Sequence, residues 1–155
     1  MHYKFKPSHS AFTLIELLVV ITIISILASF SAPQFIQKIT KAKLLEVYSF
    51  SNALQTSIEE HVITNGTFPT TTQFNALKAQ QSLSEKSVIS SSNIEQNQGV
   101  TGTIKIQLKE ESAIEANQYF LFARTTSAQW TCTSTLPSEL LSGHCKTISS
   151  NEDTE

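Results

Sequence analysis

The sequence predicts an α+β chain in which a long N-terminal α-helix, membrane-spanning over its first half, packs against a C-terminal antiparallel β-sheet head. Three observations predict it. Apolar residues are concentrated between Leu14 and Ala32, they recur at helical spacing from Ile36 to Val62, and from Thr101 the period changes to two. The 155 residues suit one ordinary domain, since domains commonly run to ~100 to 150 residues, and leave no room for a second catalytic domain.

Residues 1–11, MHYKFKPSHSA, are short, contain Pro7 and two serines, and are basic through Lys4 and Lys6. That flank predicts a cytoplasmic N-terminus. Residues 12–16, Phe-Thr-Leu-Ile-Glu, open an apolar run continuing to Ala32. At ~1.5 Å per helical residue the run matches a bilayer core of ~30 Å. Glu16 separates the readings of this segment. An ordinary signal peptide has a charge-free core and a small-x-small cleavage site, and Ser29-Phe30-Ser31 before Ala32, with Pro33 next, is a poor one. A plain anchor leaves Glu16 without a purpose, although an ionisable group at the edge of a bilayer core costs a few kcal/mol and usually has a partner.

Phe12 through Ile24, FTLIELLVVITII, resembles the start of type IV pilins and type II secretion pseudopilins. The resemblance covers about residues 6–35. It implies that a dedicated peptidase removes residues 1–11 by cutting between Ala11 and Phe12, and that the new amine on Phe12 is N-methylated. Glu16 holds the family's acidic position, fifth after the cut. Its carboxylate is then expected to neutralise the Phe12 amine of a neighbouring subunit in an apolar filament core, replacing two unpaired buried charges with a pair. Pro33 falls at the family's proline, twenty-second in the mature chain, where the missing hydrogen bond and ring clash kink or unwind the helix. Two residues depart from the family. Ala11 stands where Gly is usual before the cut, implying slower processing, and Ser25 replaces a helix-weakening Gly, implying a stiffer segment.

Beyond Pro33, Ile36, Ile39, Val47, Phe50, Leu54, Ile58 and Val62 follow one helical face, so the helix is expected to continue to about Thr64. Lys38, Lys41, Lys43, Glu46, Glu59 and Glu60 read as a solvated or subunit-facing surface. Asn65-Gly66 supplies a left-handed stop and Phe68-Pro69 prevents continuation; this segment is also similar to the one after the helix in pilins. Residues 70–99, rich in Thr, Ser, Gln and Asn, are expected as a connecting loop with a short helix around Thr72–Ala79. Ile104, Ile106 and Leu108 alternate with polar residues as in a half-buried strand. Residues 118–124 (QYFLFAR) and 128–133 (AQWTCT) are further strands, with Glu110–Asn117 the connection before them. Three or four antiparallel strands on the amphipathic helix half make the head. The expected organisation is thus a leader over 1–11, a transmembrane and filament-core helix over 12–33, an amphipathic half over 34–64, a connecting loop over 65–99, and the sheet over 100–155.

An even count of two cysteines, Cys132 and Cys145, in an exported chain suggests one disulfide, worth roughly 3 kcal/mol in the chain-entropy model. The segment between them, CTSTLPSELLSGHC, resembles the disulfide-bounded loop of type IVa pilins, which implies an exposed loop contributing to filament surface and adhesion. Ser149–Glu155 is polar and acidic and is expected to fray.

The remaining chemistry is sparse. His2 and His9 lie in the leader, and His61 and His144 do not make a metal site, which needs three or four ordered ligands. No G-x-S-x-G elbow and no phosphate-binding glycine loop occurs. The 11 basic residues face 13 acidic ones, and removal of Lys4 and Lys6 with the leader leaves 9. A net acidic chain is poorly suited to nucleic acid, which is not expected as a partner. No polybasic run occurs beyond Lys38, Lys41 and Lys43, although a local patch around Lys105, Lys109 and Arg124 could escape the average acidity. Trp130, Phe120 and Phe122 could be imagined stacking on bases, but their strand setting favours core packing.

The resemblance implies a structural, non-enzymatic subunit without cofactors. It implies a single-pass inner-membrane precursor that becomes part of a surface pilus used in adhesion, twitching motility or DNA uptake. Its partners would be copies of itself and other pilins, a prepilin peptidase/methylase, an assembly ATPase acting through a platform protein, and a secretin. The alternatives are a minor pilin or secretion pseudopilin priming a short filament, a ligand- or DNA-binding competence pilin, and a simple anchored periplasmic protein.

Overall fold

The computed structural model describes residues 12–81, 83–111 and 113–148, without the side chains of residues 31–33. The chain divides into two compact units, residues 1–35 and 36–155. Helix α1, Leu14–Asn65, contributes to both.

In the first unit, every described apolar side chain from Phe12 to Phe30 is open to its surroundings, from Val19 at 48% to Leu14 at 89%. A helix apolar all round buries nothing within its own chain and needs another apolar medium. Its hydroxyl residues do not interrupt that character. Thr22 Oγ1 donates to the Val19 carbonyl, Ser25 Oγ to Ile21 and Ser29 Oγ to Ile26, all at 2.7–2.8 Å. Each polar group is thereby satisfied by the helix backbone. Among the described residues no unbroken helix is long and apolar enough to cross a membrane; Leu14–Phe30 and Gln34–Asn65 meet the length and composition only when taken together.

In the second unit, α1 buries Leu44, Val47, Phe50, Leu54, Ile58 and Val62, spaced three or four apart. Ile36 and Ile39, expected on that face, remain half-exposed, and Leu44 joins it instead. The helix ends at Asn65, where Gly66 takes φ +72° and its N–H closes onto the Val62 carbonyl at 2.8 Å. Helix α2, Thr71–Ala79, starts on a capping box: Thr70 accepts from the Gln73 amide while the Gln73 side chain accepts from the Thr70 amide. Its Phe74 is fully buried.

Five strands form one sheet in sequence order: β1 Ile89–Gln98, β2 Thr101–Leu108, β3 Tyr119–Arg124, β4 Trp130–Ser134 and β5 Cys145–Thr147. The first four pair antiparallel, and β5 runs parallel to β4. Burial alternates residue by residue along β2 and β3, as half-buried strands require. Ile104 faces Phe122 and Ile106 faces Phe120 across their ladder. Phe120 and Phe122 stack with ring centroids 6.0 Å apart, and Tyr48 from α1 meets Phe120 edge-on at 5.5 Å. The α+β fold class is as expected, but two details differ. The segment 65–99 is not only a connecting loop, because it contains β1 as well as α2. The C-terminal segment is not wholly irregular and exposed: it forms a 3-10 turn at Ser138–Leu140, buries Leu136 and Leu140, and returns as a fifth strand.

Candidate functional site

The N-terminal features are laid out by the first turn of α1. Glu16 lies in that turn, where an acidic side chain opposes the partial positive charge of the helix N-terminus. Its amide donates to Thr13 Oγ1 at 3.3 Å, so Thr13 caps one of the orphan donors there. Phe12 precedes the helix and is 80% exposed. Ala11, the residue before the expected cut, lies outside the described residues, as do the side chain of Pro33 and the tail after Ile148.

The head is fastened to α1 by a charge node that the helix periodicity had placed on the solvated face. Arg124, at the end of β3, is buried, and its Nε and Nη2 donate to Glu59 Oε1 and Oε2 at 2.7 and 2.8 Å. Trp130 Nε1 donates to the same Oε1 at 2.7 Å, and Arg124 Nη1 donates to the Val100 carbonyl at 2.7 Å. One carboxylate thus ties together α1, β3 and β4, and the guanidinium adds the β1–β2 turn. The Arg124 hydrogen bonds hold the Glu59 carboxyl below the ordinary carboxylate range, with Trp130 adding to the effect and partial burial opposing it. The same bonds raise the Arg124 guanidinium.

This node removes the basic patch that Lys105, Lys109 and Arg124 could have formed. Lys105 pairs with Glu95 at 3.0 Å and lies over the Tyr119 ring at 4.5 Å. Lys109 donates to the Ser87 carbonyl at 2.8 Å. With Arg124 buried, no cluster of free cations is left at these positions for phosphates. Phe120 and Phe122 are core residues, and Trp130 is half-buried against Phe68 at 6.3 Å, so they form no open stacking platform.

The C-terminal loop is set by Cys132 and Cys145, joined in a disulfide with Cα atoms 4.6 Å apart. They are direct partners in the β4–β5 ladder, so the cross-link and the parallel pairing reinforce each other. The Ser142 amide donates to the Tyr48 hydroxyl at 3.2 Å, pinning the loop to α1. Between loop and helix lies a cleft of about 380 Å³ lined in part by Leu45, Tyr48, Gln55, Trp130 and His144. Among the described residues no three His, Cys, Asp or Glu side chains converge as metal ligands.

Two family models match the chain. Residues 6–32 match the prokaryotic N-terminal methylation motif, the segment that carries Ala11, Phe12 and Glu16. Residues 40–146 match the pilin family of bacterial filament subunits, covering the packed half of α1, the sheet up to Lys146 and both cysteines. A methylation-motif N-terminus joined to a long helix and a disulfide-closed sheet places this chain in the pilin family, as a type IV pilin.

Proposed function

We propose that the chain is a prepilin whose residues 1–11 are removed by a prepilin peptidase/methylase between Ala11 and Phe12, leaving an N-methylated Phe12 as the first mature residue. The mature chain waits in the inner membrane, held by residues 12–33. It is then extracted by an ATPase-driven platform and packs by that segment among copies of itself and other pilins. The filament it builds passes a secretin to the surface and serves in adhesion, twitching motility or DNA uptake. Pro33 loosens the helix after the apolar run.

The observation that carries this reading is Glu16, the sole ionisable side chain between Phe12 and Pro33, in the first turn of a helix whose apolar residues up to Phe30 are exposed on all sides. In an apolar filament core such a carboxylate needs a counter-charge, and the amine created on Phe12 of a neighbouring protomer supplies one. Mass spectrometry of the mature chain tests the reading. A first peptide beginning at Phe12 and carrying one added methyl group is expected; an intact leader, or a cut near Ala32, overturns it.

A minor pilin or secretion pseudopilin is the second reading. The Cys132–Cys145 loop favours a pilin over a pseudopilin. Counting subunits in sheared filaments separates a major from a minor role. A DNA-binding role loses its candidate patch to the Glu59–Arg124 node. Gel shift with the detergent-solubilised chain at low salt tests it, and salt-sensitive binding there would restore it.

A further inference from the structure

We propose that Asn65, the last residue of α1, is a latent site of spontaneous deamidation. The helix end holds it shut, and fraying of that end lets the Gly66 amide nitrogen close onto the Asn65 side chain.

Asn65 is the one asparagine of the chain followed by glycine; every other asparagine precedes a residue with a side chain. The difference matters because the reaction brings the next main-chain nitrogen onto the carboxamide carbon, and a side chain on that next residue obstructs the approach. Gly66 offers no obstruction. No heavy atom lies within 4 Å of the place where its Cβ would stand, and both residues are exposed.

The helix end nevertheless restrains each reacting group. The Gly66 N–H donates to the Val62 carbonyl at 2.8 Å, so the proton that must leave first is engaged. Asn65 Nδ2 donates to the His61 carbonyl at 3.0 Å and lies 3.3 Å from His61 Nδ1, so the carboxamide is turned back along the helix. Asn65 is itself helical, and the attack needs the main chain to swing out of that conformation. These restraints all belong to the last turn of α1, which carries no basic side chain to reinforce it, and helix ends are where opening costs least.

Once the turn opens, hydroxide takes the Gly66 amide proton and the nitrogen attacks Asn65 Cγ. A nitrogen–carbon bond closes a five-membered imide, the bond from Cγ to the side-chain nitrogen breaks, and ammonia leaves. Water then opens the imide at either carbonyl, giving aspartate or isoaspartate. One water is consumed for each ammonia released, and nothing is oxidised or reduced.

The product cannot rebuild the helix end. A carboxylate at this position only accepts, so it faces the His61 carbonyl with no proton to offer and adds charge at the negative end of the helix dipole. Isoaspartate also lengthens the main chain by a methylene just ahead of buried Phe68, whose amide bonds to the Gly99 carbonyl and whose ring covers Gly102. Modification therefore loosens the seam between the end of α1 and the β1–β2 turn.

The test is incubation of the detergent-solubilised full chain in heavy-oxygen water at mildly alkaline pH, folded or in guanidinium chloride, followed by tryptic mass spectrometry of residues 44–78. That peptide also contains Asn52 and Asn75, each followed by alanine, as internal references. In the unfolded chain, label should enter Asn65 well ahead of both references. In the folded chain it should enter Asn65 roughly tenfold more slowly, the ratio set by the small free-energy cost of opening a terminal turn. Ile63→Gly, at a side chain 83% exposed, weakens the last turn through helix propensity and should speed labelling of the folded chain about threefold, with the unfolded rate unchanged. Asn65→Asp, which reproduces the charge, should lower the urea midpoint followed by Trp130 fluorescence. No preference for Asn65 over Asn52 and Asn75 in the unfolded chain overturns the site. Equal folded and unfolded rates, or no response to Ile63→Gly, overturn the restraint by the helix end, and a wild-type midpoint in Asn65→Asp overturns the loosening.

Discussion

Arg124 on β3 holds Glu59 on α1 through two parallel hydrogen bonds of 2.7 and 2.8 Å, so helix and sheet are joined by a forked ion pair as well as by apolar packing. The guanidinium is almost fully enclosed, while 30% of the Glu59 side chain reaches solvent. The fork spans 65 residues of sequence and fixes the rotation of α1 over the strands.

Removing either partner leaves a charge without compensation. Glu59→Gln keeps an acceptor for Trp130 but strands the Arg124 charge, and Arg124→Ala also removes the bond to Val100. Each should lower the stability of the detergent-solubilised chain by about 3 kcal/mol, the low end for breaking a buried pair, because Glu59 is partly solvated. Arg124→Lys should fall between, since an ammonium cannot reproduce the fork. Urea unfolding followed by Trp130 fluorescence measures all three, and an unchanged midpoint in Arg124→Ala would sink the assignment.

The same pair makes the head acid-sensitive. Glu59 has a lower pKa folded than unfolded, so its contribution is fully present above the ordinary carboxylate range and is lost as pH falls through that range toward the folded value. The urea midpoint should therefore decline as pH drops from about 6 to about 3, and the decline should be shallower in Glu59→Gln. Equal slopes in the two chains would show that other carboxylates dominate. Arg124 stays charged throughout this window, so its raised pKa contributes there at a constant level and adds no slope.

Gly102, second residue of β2, lies directly beneath the Phe68 ring, and a Cβ there would run into its Cδ1, Cε1 and Cγ. Phe68 is fully buried, with its amide bonded to the Gly99 carbonyl, so the ring cannot swing away freely. Gly102→Ala should cost roughly 1 to 3 kcal/mol by overpacking. Introducing Phe68→Leu beside it should recover part of the loss, whereas simple addition of the two penalties would count against a direct clash.

Reduction of Cys132–Cys145, or Cys132→Ser with Cys145→Ser, should lower stability by about 3 kcal/mol for a loop of this length. Because Leu136 and Leu140 are buried in the core, the loop should also undock and become open to limited proteolysis between Thr135 and Gly143. An uncut loop after reduction would mean that β5 pairing and the Tyr48–Ser142 bond suffice to hold it.

Glu16→Ala removes the carboxylate without changing the apolar character of the segment. The variant should enter the membrane like the wild type and yield at least tenfold fewer sheared filaments, a loss equivalent to about 1.4 kcal/mol or more per assembly step. Filament yield at the wild-type level would refute the charge-pairing mechanism.

Much of this architecture was legible in the chain because it is written in local periods. A predominantly apolar run marks Leu14–Phe30, spacings of three and four mark Val47–Val62, and alternation marks β2 and β3, since each pattern follows from the geometry of one element. Asn65-Gly66 announced the end of α1 for the same reason, whereas the Thr70 cap of α2 emerged only in the structure. Strand β1 was not legible: its ladder slips between Ile89 and Ser91 and again between Ile94 and Gln96, so burial falls on Ile89 and Ser92 and alternation never appears. Three serines and four amide side chains make it a weak strand former, and it exists because β2 offers it a ladder. Glu59 and Arg124 were equally hidden, since a carboxylate on a helix gives no sign of a guanidinium 65 residues away. The sequence by itself determined the long helix, strands β2 to β4, the methylation motif and the place of Glu16, all set by neighbours along the chain. Only the tertiary structure decided which charges are buried, that β5 lies parallel beside β4, and which lysines remain free, because those outcomes depend on contacts between residues far apart in sequence.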